Sequence, residues 1–321
     1  MVGSSQKRIV LVGKLVGNEM KILITGGTGL IGKKLCSALL QQGHELTILT
    51  RRPTVVSTQC KAIVSLNEWQ PEIIYDAVLN LAGEPIVDKS WTEKRKKCLC
   101  DSRISLTQEL VRHIEAANQK PKVLISGSAI GYYGNTGDVI VDETTSVGSD
   151  FGAELCSAWE NEALKANIRV CILRTGLVLD SSGGIFKKMQ LPFKLGLGGC
   201  IGDGKQWMSW IHIDDYVSIV IKLLDNEKAQ GTYNMVAPEP VTNQQFTKIL
   251  ANKLSRPSFC NIPSWFLKLV LGERAELVLG GQRVSSIRIK ELDYQFVYSN
   301  LKNSIQSLCT VDSENTSSNH V

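Results

Sequence analysis

Short apolar runs alternate with amphipathic stretches through the first half of the chain. Ile22, Leu23 and Ile24 run into the glycine cluster Thr25-Gly26-Gly27-Thr28-Gly29-Leu30-Ile31-Gly32, and Leu35, Leu39 and Leu40 then recur at helical spacing. Strand, tight turn and helix follow from that order. Glu45–Thr50 reads as a second strand, Lys61–Leu66 as a short third and Tyr75–Glu84 as a fourth that ends in small residues. Thr92–Asn118 carries a long helical pattern with a break near Asp101 and an apolar stripe of Ile104, Leu110, Val111 and Ile114. Lys122–Ser126 is a fifth strand, Ala153–Ala166 a helix and Ile168–Arg174 a sixth strand.

This alternation predicts an α/β fold, a Rossmann-type doubly wound parallel sheet whose ligand lies off the C-terminal ends of the strands. Beyond residue 180 the rhythm changes. A Gly-rich stretch, Leu195–Gly204, precedes helical patterns at Ile213–Leu224, Thr242–Leu254 and Ser264–Leu271, with a strand at Gly231–Val236. The expected organisation is an N-terminal extension over 1–19 and a dinucleotide-binding domain over 20–180. A smaller substrate lobe occupies most of 181–305, with some later segments returning to the sheet, and a disordered tail covers 306–321.

The glycine cluster suits a dinucleotide phosphate. Gly26 permits the turn, Gly29 leaves room for a pyrophosphate, and Gly32 lets helix and strand pack closely, while the helix N-terminus offers free N–H groups. The second strand ends at Thr50-Arg51-Arg52-Pro53, where an NAD protein would carry an acid. Two guanidiniums without a carboxylate favour the 2′-phosphate of NADP(H).

Composition narrows the partners. Of 321 residues 43% are hydrophobic and 21% charged, and the net charge is only +5, without a basic block interleaved with aromatics, so nucleic acid is not expected. No run reaches membrane-spanning length. Nine cysteines lack C-x-x-C spacing and read as reduced thiols, which implies a cytoplasmic protein and no metal site. An organellar address within residues 1–19 stays open beside that reading. The expected partner is a small molecule, with the chain a monomer or homodimer.

Several longer motifs then resemble one superfamily. The glycine cluster, Asn80-Leu81-Ala82-Gly83, Gly202-Asp203-Gly204 and Trp210-Ile211-His212-Ile213-Asp214-Asp215 resemble the extended short-chain dehydrogenase/reductases. Asn80–Ile86, Ser126–Gly134, Leu195–Gly199 and Leu279-Gly280-Gly281-Gln282-Arg283 narrow the resemblance to its atypical "epimerase family" group, short-chain dehydrogenase family 39U. The resemblance covers about residues 20–305. It implies NADP(H) held by Thr25 to Gly32, Arg51, Arg52, Leu81, Ala82, Gly83 and Glu84.

The same resemblance exposes a departure. The superfamily's usual centre is a Ser, a Tyr and a Lys four residues after the Tyr, in which the Lys tunes the Tyr as proton donor. Ser128 matches the Ser, but the Tyr position falls on Phe151 and the Lys position on Leu155. Neither side chain carries a transferable proton. Tyr132 and Tyr133 are the replacement candidates, each of which could equally be a packing aromatic. Arg103, Lys205, His212 and Arg283 are candidates for the substrate side; a helix-face salt bridge for Arg103 and a structural role for His212 are the plainer alternatives. Two readings remain: an oxidoreductase or epimerase-like enzyme with an altered centre, or a catalytically silent NADP(H)-binding sensor or interaction protein.

Overall fold

The computed structural model describes residues 19–317. The expected extension, with the targeting question attached to it, lies outside the described residues except for Glu19. The central sheet has seven strands: β1 (Lys21–Thr25), β2 (Glu45–Leu49), β3 (Lys61–Ile63), β4 (Ala77–Asn80), β5 (Val123–Ala129), β6 (Arg169–Thr175) and β7 (Gly231–Met235). In space they run β7-β6-β5-β4-β1-β2-β3, with every neighbouring pair parallel. The chain reverses its direction of growth between β3 and β4, which leaves a crevice at the C-terminal ends of β1 and β4.

Alternation along β1 decides its packing. Ile22 and Ile24 join a core with Leu35 and Leu39 of helix α1 (Leu30–Gln41), whereas Leu23 faces a second core containing Leu110, Val111 and Ile114. Both faces of the sheet are therefore covered, so its strands are apolar throughout rather than half polar. Helix Ile213–Asp225 packs on the first of these cores, and β7 forms the sheet edge, so residues 213–235 belong to the sheet layer.

A third core lies beside the two that flank the sheet. Phe186 and Phe193 of helix Gly184–Lys194 meet Phe246 and Leu250 of helix Asn243–Leu254. Leu301, Ile305 and Leu308 close that core from helix Leu301–Ser317. This corrects the expected disordered tail from residue 306, because an apolar stripe anchors the segment before its polar end; residues 318–321 lie outside the described residues.

The expected break near Asp101 takes a specific form. Helix Glu93–Cys100 passes through a wide π-type turn at Asp101–Ser105 into helix Leu106–Ala116. Such turns insert one residue into an α-helix. Among the described residues no helix is long and apolar enough to cross a membrane.

Candidate functional site

Backbone sterics build the first half of the site. Gly26 has φ +71°, and a Cβ there would stand 2.6 Å from the carbonyl carbon of Leu81. A Cβ on Gly32 would come 2.2 Å from the Gly26 oxygen, so helix and turn can touch only through glycine. Gly29 differs: apart from the Gly26 oxygen at 3.2 Å, a Cβ there would meet open space. Gly29 is also the N-cap of α1, and no side-chain cap bond is made there, which leaves first-turn N–H groups for a ligand beside that space. Gly27 is buried, and Thr28 is half-buried beside it.

The loop after β4 is stitched to this turn. Thr25 Oγ1 donates to Asn80 Oδ1 at 2.8 Å and accepts from the Ala82 N–H at 3.2 Å, while the Leu81 N–H donates to the Thr25 carbonyl. Asn80 Nδ2 in turn donates to Thr107 Oγ1 and Ser126 Oγ, and Trp159 Nε1 donates to Thr107 Oγ1. Arg103 lies in the wide helical turn and reaches under the loop, where Nη2 donates to the Glu84 carbonyl at 2.9 Å and the guanidinium lies against Gly83. Among the described residues no carboxylate pairs with it. Arg103 is therefore not a helix-face salt bridge; it braces the loop after β4, and burial pulls its guanidinium below the ordinary arginine value.

Arg51 and Arg52 both stand exposed at the end of β2. The absence of an acid noted from the sequence holds for that strand end alone, because Glu84 arrives from β4 and its Oε1 accepts from Arg51 Nη2 at 2.9 Å. Hydrogen bonding from Arg51, then from Arg95, holds the Glu84 carboxyl below its usual range against the opposing effect of burial.

The second half of the site is made of side chains. Ser128 is only 5% exposed, and its Oγ donates to Glu160 Oε1 at 2.6 Å. Glu160 is held by Arg174 through two bonds of 2.9 Å, Nε to Oε1 and Nη2 to Oε2. Arg174 Nη1 continues to the Tyr133 hydroxyl at 3.0 Å, which donates to Asn234 Oδ1 at 2.7 Å. Sequence reasoning missed Glu160 and Arg174. Arg174 carried a signal, a charge directly after the apolar run Val170–Leu173, whereas Glu160 opens the polar run Glu160-Asn161-Glu162 and carried none.

The two tyrosines part company. Tyr133 is 3% exposed, its hydroxyl is bonded on both sides, and burial pushes it up to about 12, so its proton is engaged within the fold and the residue acts as a strut. Tyr132 is half-buried, its ring lies 3.4 Å from the Arg174 guanidinium carbon, and its hydroxyl has no protein hydrogen bond among the described residues. The neighbouring position of the usual donor is apolar: Phe151 meets the edge of Trp91 at 5.0 Å, Lys96 Nζ lies 5.3 Å from its ring centre, and Leu155 is buried.

The substrate-side candidates do not converge. His212 is buried, accepts from the Asp214 N–H as the cap of Ile213–Asp225, stacks on Tyr298 and contacts Ser307, which corrects its placement on the substrate side. Burial pushes its imidazole down to about 4, so it is neutral. Arg283 stacks on Trp207 at 4.4 Å, and Lys205 is exposed at a loop. Among the described residues no cluster of His, Cys, Asp or Glu could hold a metal ion.

A model of the NAD dependent epimerase/dehydratase family matches residues 22–236, spanning the glycine turn, Ser128 and the sheet to its last strand. The chain belongs to that family. Within it, a chloroplastic SDR39U1 homolog of Arabidopsis thaliana, named an epimerase family protein, is 37% identical over 316 residues, covering 95% of this chain and 91% of that protein. An epimerase family protein of Staphylococcus aureus is 36% identical over 296 residues, covering 89% of this chain and 98% of its own length. The crystal structure of human epimerase family protein SDR39U1 with NADPH superposes with a TM-score of 0.84 at 34% identity, covering 90% of this chain and 99% of that one. A domain of unknown function, DUF1731, matches residues 262–308. Family membership accounts for the dinucleotide cradle, and the open space at Gly29 together with free helix N–H groups fits a pyrophosphate.

Proposed function

We propose that this chain is an NADP(H)-dependent oxidoreductase acting on a small polar carbonyl or hydroxyl compound, through a centre in which Tyr132 replaces the usual tyrosine. One observation carries the proposal: Tyr132 presents an unengaged hydroxyl on the loop that follows Ser128, while Phe151 and Leu155 leave the ordinary donor position without a proton. The cofactor, when bound, would give hydride to a carbonyl in its reduced form or take it from a hydroxyl-bearing carbon in its oxidised form, with Tyr132 giving or taking the proton. Arg174 holds the Tyr132 ring by cation–π contact, and its pairing with Glu160 fixes Ser128. Because the Ser128 proton points at Glu160, the Ser128 oxygen is oriented to accept a hydrogen bond from a substrate hydroxyl. Arg51 and Arg52 support preference for NADPH, since loss of a charge-assisted phosphate contact costs about 1.5–3 kcal/mol, about 10–150-fold in affinity.

The experiment is a calorimetric titration with NADPH and NADH, followed by assay of UDP-sugars, aldehydes and ketones with NADPH on wild type, Ser128→Ala and Tyr132→Phe. NADPH should bind at least about tenfold tighter than NADH. Carbonyl reduction should fall about 10²–10⁴-fold in Tyr132→Phe, the range for loss of a positioned proton donor, and UDP-sugar epimerisation should be absent. Rapid UDP-sugar epimerisation, or reduction indifferent to Tyr132, refutes the proposed centre. The second reading, a silent NADP(H)-binding sensor, is favoured by the Ser128 proton being already committed to Glu160. Tight NADPH binding with no turnover across the panel selects it.

A further inference from the structure

Strand order places the ion pair between Arg51 and Glu84 across the dinucleotide groove. Arg51 follows β2, Glu84 follows β4, and β1 lies between those strands in the sheet. A bond joining the two loops, Nη2 to Oε1 at 2.9 Å, must therefore cross the C-terminal end of β1, above which the glycine turn offers its groove. The two partners are held very differently. Glu84 is a fixed post: its N–H donates to Ser102 Oγ at 3.1 Å, its carbonyl accepts from Arg103 at 2.9 Å, and its second carboxylate oxygen accepts from the buried Arg95 at 3.3 Å. Its side chain is 21% exposed, against 89% for Arg51. Arg51 is an arm in water with one nitrogen on the post, and a guanidinium has further N–H groups to offer.

We propose that Arg51 and Glu84 form a clasp over the adenosine end of the groove, which opens for passage of the dinucleotide and then retains it. The proposal rests on the dinucleotide-binding reading above and goes beyond cofactor preference, because retention by a clasp does not require a 2′-phosphate. Arg51 can hold Glu84 with one edge of its guanidinium and face a 2′-phosphate with the other. Glu84 thus acts as a positioning residue for Arg51 rather than as a ligand of the ribose.

The test is stopped-flow release of NADPH and of NADH, followed by nicotinamide fluorescence, on wild type, Arg51→Gln and Glu84→Gln. An exposed ion pair of this kind supports a change of about two- to fivefold. The clasp predicts that both variants release NADH faster by that factor, although NADH has no phosphate for Arg51 to bind. It also predicts that wild-type NADH release quickens with salt, whereas release from Arg51→Gln does so less. Arg51 is exposed, so Arg51→Gln keeps the test sound if Glu84→Gln disturbs its loop. NADH release unchanged in Arg51→Gln overturns the clasp and leaves Arg51 as a phosphate ligand only. Slower NADPH release in Glu84→Gln also overturns it, showing that Glu84 competes with the phosphate. Equilibrium titration of wild type separates the two readings: binding of neither dinucleotide refutes the proposed function, whereas binding with equal release rates in all three proteins refutes the clasp alone.

Discussion

Two buried polar clusters sit at the C-terminal edge of the same sheet. Beneath the glycine turn, Thr25, Asn80, Thr107, Ser126 and Trp159 share neutral hydrogen bonds. Beneath Tyr132, Ser128, Glu160, Arg174, Tyr133 and Asn234 share a network built on a buried ion pair. The neutral cluster can lose a member and let hydroxyl rotors find new partners. The ionic one has no such freedom, since removal of either charge strands the other away from water. The half of the site built from the glycine turn is therefore underlain by tolerant chemistry, and the half around Ser128 and Tyr132 by intolerant chemistry.

The sharpest way to break this contrast is Arg174→Leu, which leaves the Glu160 carboxylate without its partner. It should destabilise the fold by about 3–5 kcal/mol in urea titrations. Glu160→Leu combined with Arg174→Leu should cost less than Arg174→Leu alone, because a well-packed apolar pair replaces two charges. A double variant at least as unstable as the single one would remove the ionic cluster's special status.

Acid probes a third place, outside both clusters. His212 is neutral in the fold down to about 4, against 6.5 for an ordinary histidine, because burial opposes its charge. Below pH 6.5 the unfolded chain binds a proton that the folded chain refuses, so stability falls as pH drops from 6.5 to 4, by about 3 kcal/mol for this group. His44, also held below its usual value chiefly by burial, acts in the same direction. His212→Asn retains a capping acceptor and should flatten that part of the profile in thermal melts at each pH. An identical acid dependence in wild type and His212→Asn would place the transition elsewhere.

Asn80→Ala should cost about 1–3 kcal/mol, less than Arg174→Leu, and should weaken NADPH binding through loosening of the Leu81–Ala82 loop. If its cost matches that of Arg174→Leu, the neutral cluster is no more forgiving than the ionic one. Smallest of all is Tyr132→Phe, expected within about 0.5 kcal/mol of wild type because its hydroxyl has no hydrogen-bond partner among the described residues. A larger loss would show that the hydroxyl is engaged in the fold.

The two clusters also differ in how they could be read. Glycine spacing reports directly on backbone approach, so the roles of Gly26 and Gly32 in turn and packing were legible from the chain and recur as forced contacts. The α/β order was legible for the same local reason: apolar runs and helical stripes repeat within a few residues. Tyr133, in contrast, became a strut through Arg174 and through Asn234, which lies 101 positions away, and nothing local announces those bonds. Arg103 misled because its helix is not regular where it sits, and the residue reaches inward to the Glu84 carbonyl. At the C-terminus the stripe of Leu301, Ile305 and Leu308 was present, but the polar composition after it masked the helix.

The wide turn at Asp101–Ser105 also makes one long helix into two with independent phases. A regular α-helix advances about 100° per residue, so one residue more or less rotates everything beyond it by that angle. Upstream of the turn stand Arg95 and Lys96, which face Glu84 and the ring of Phe151; downstream stand Leu110 and Ile114, locked into the core. A single deletion inside the turn would leave the core-bound half where it is and swing the other half about its axis. Length at this point, rather than identity, aligns the chemistry-bearing face, and an insertion preserved in relatives would mark a compass setting more than a sequence motif.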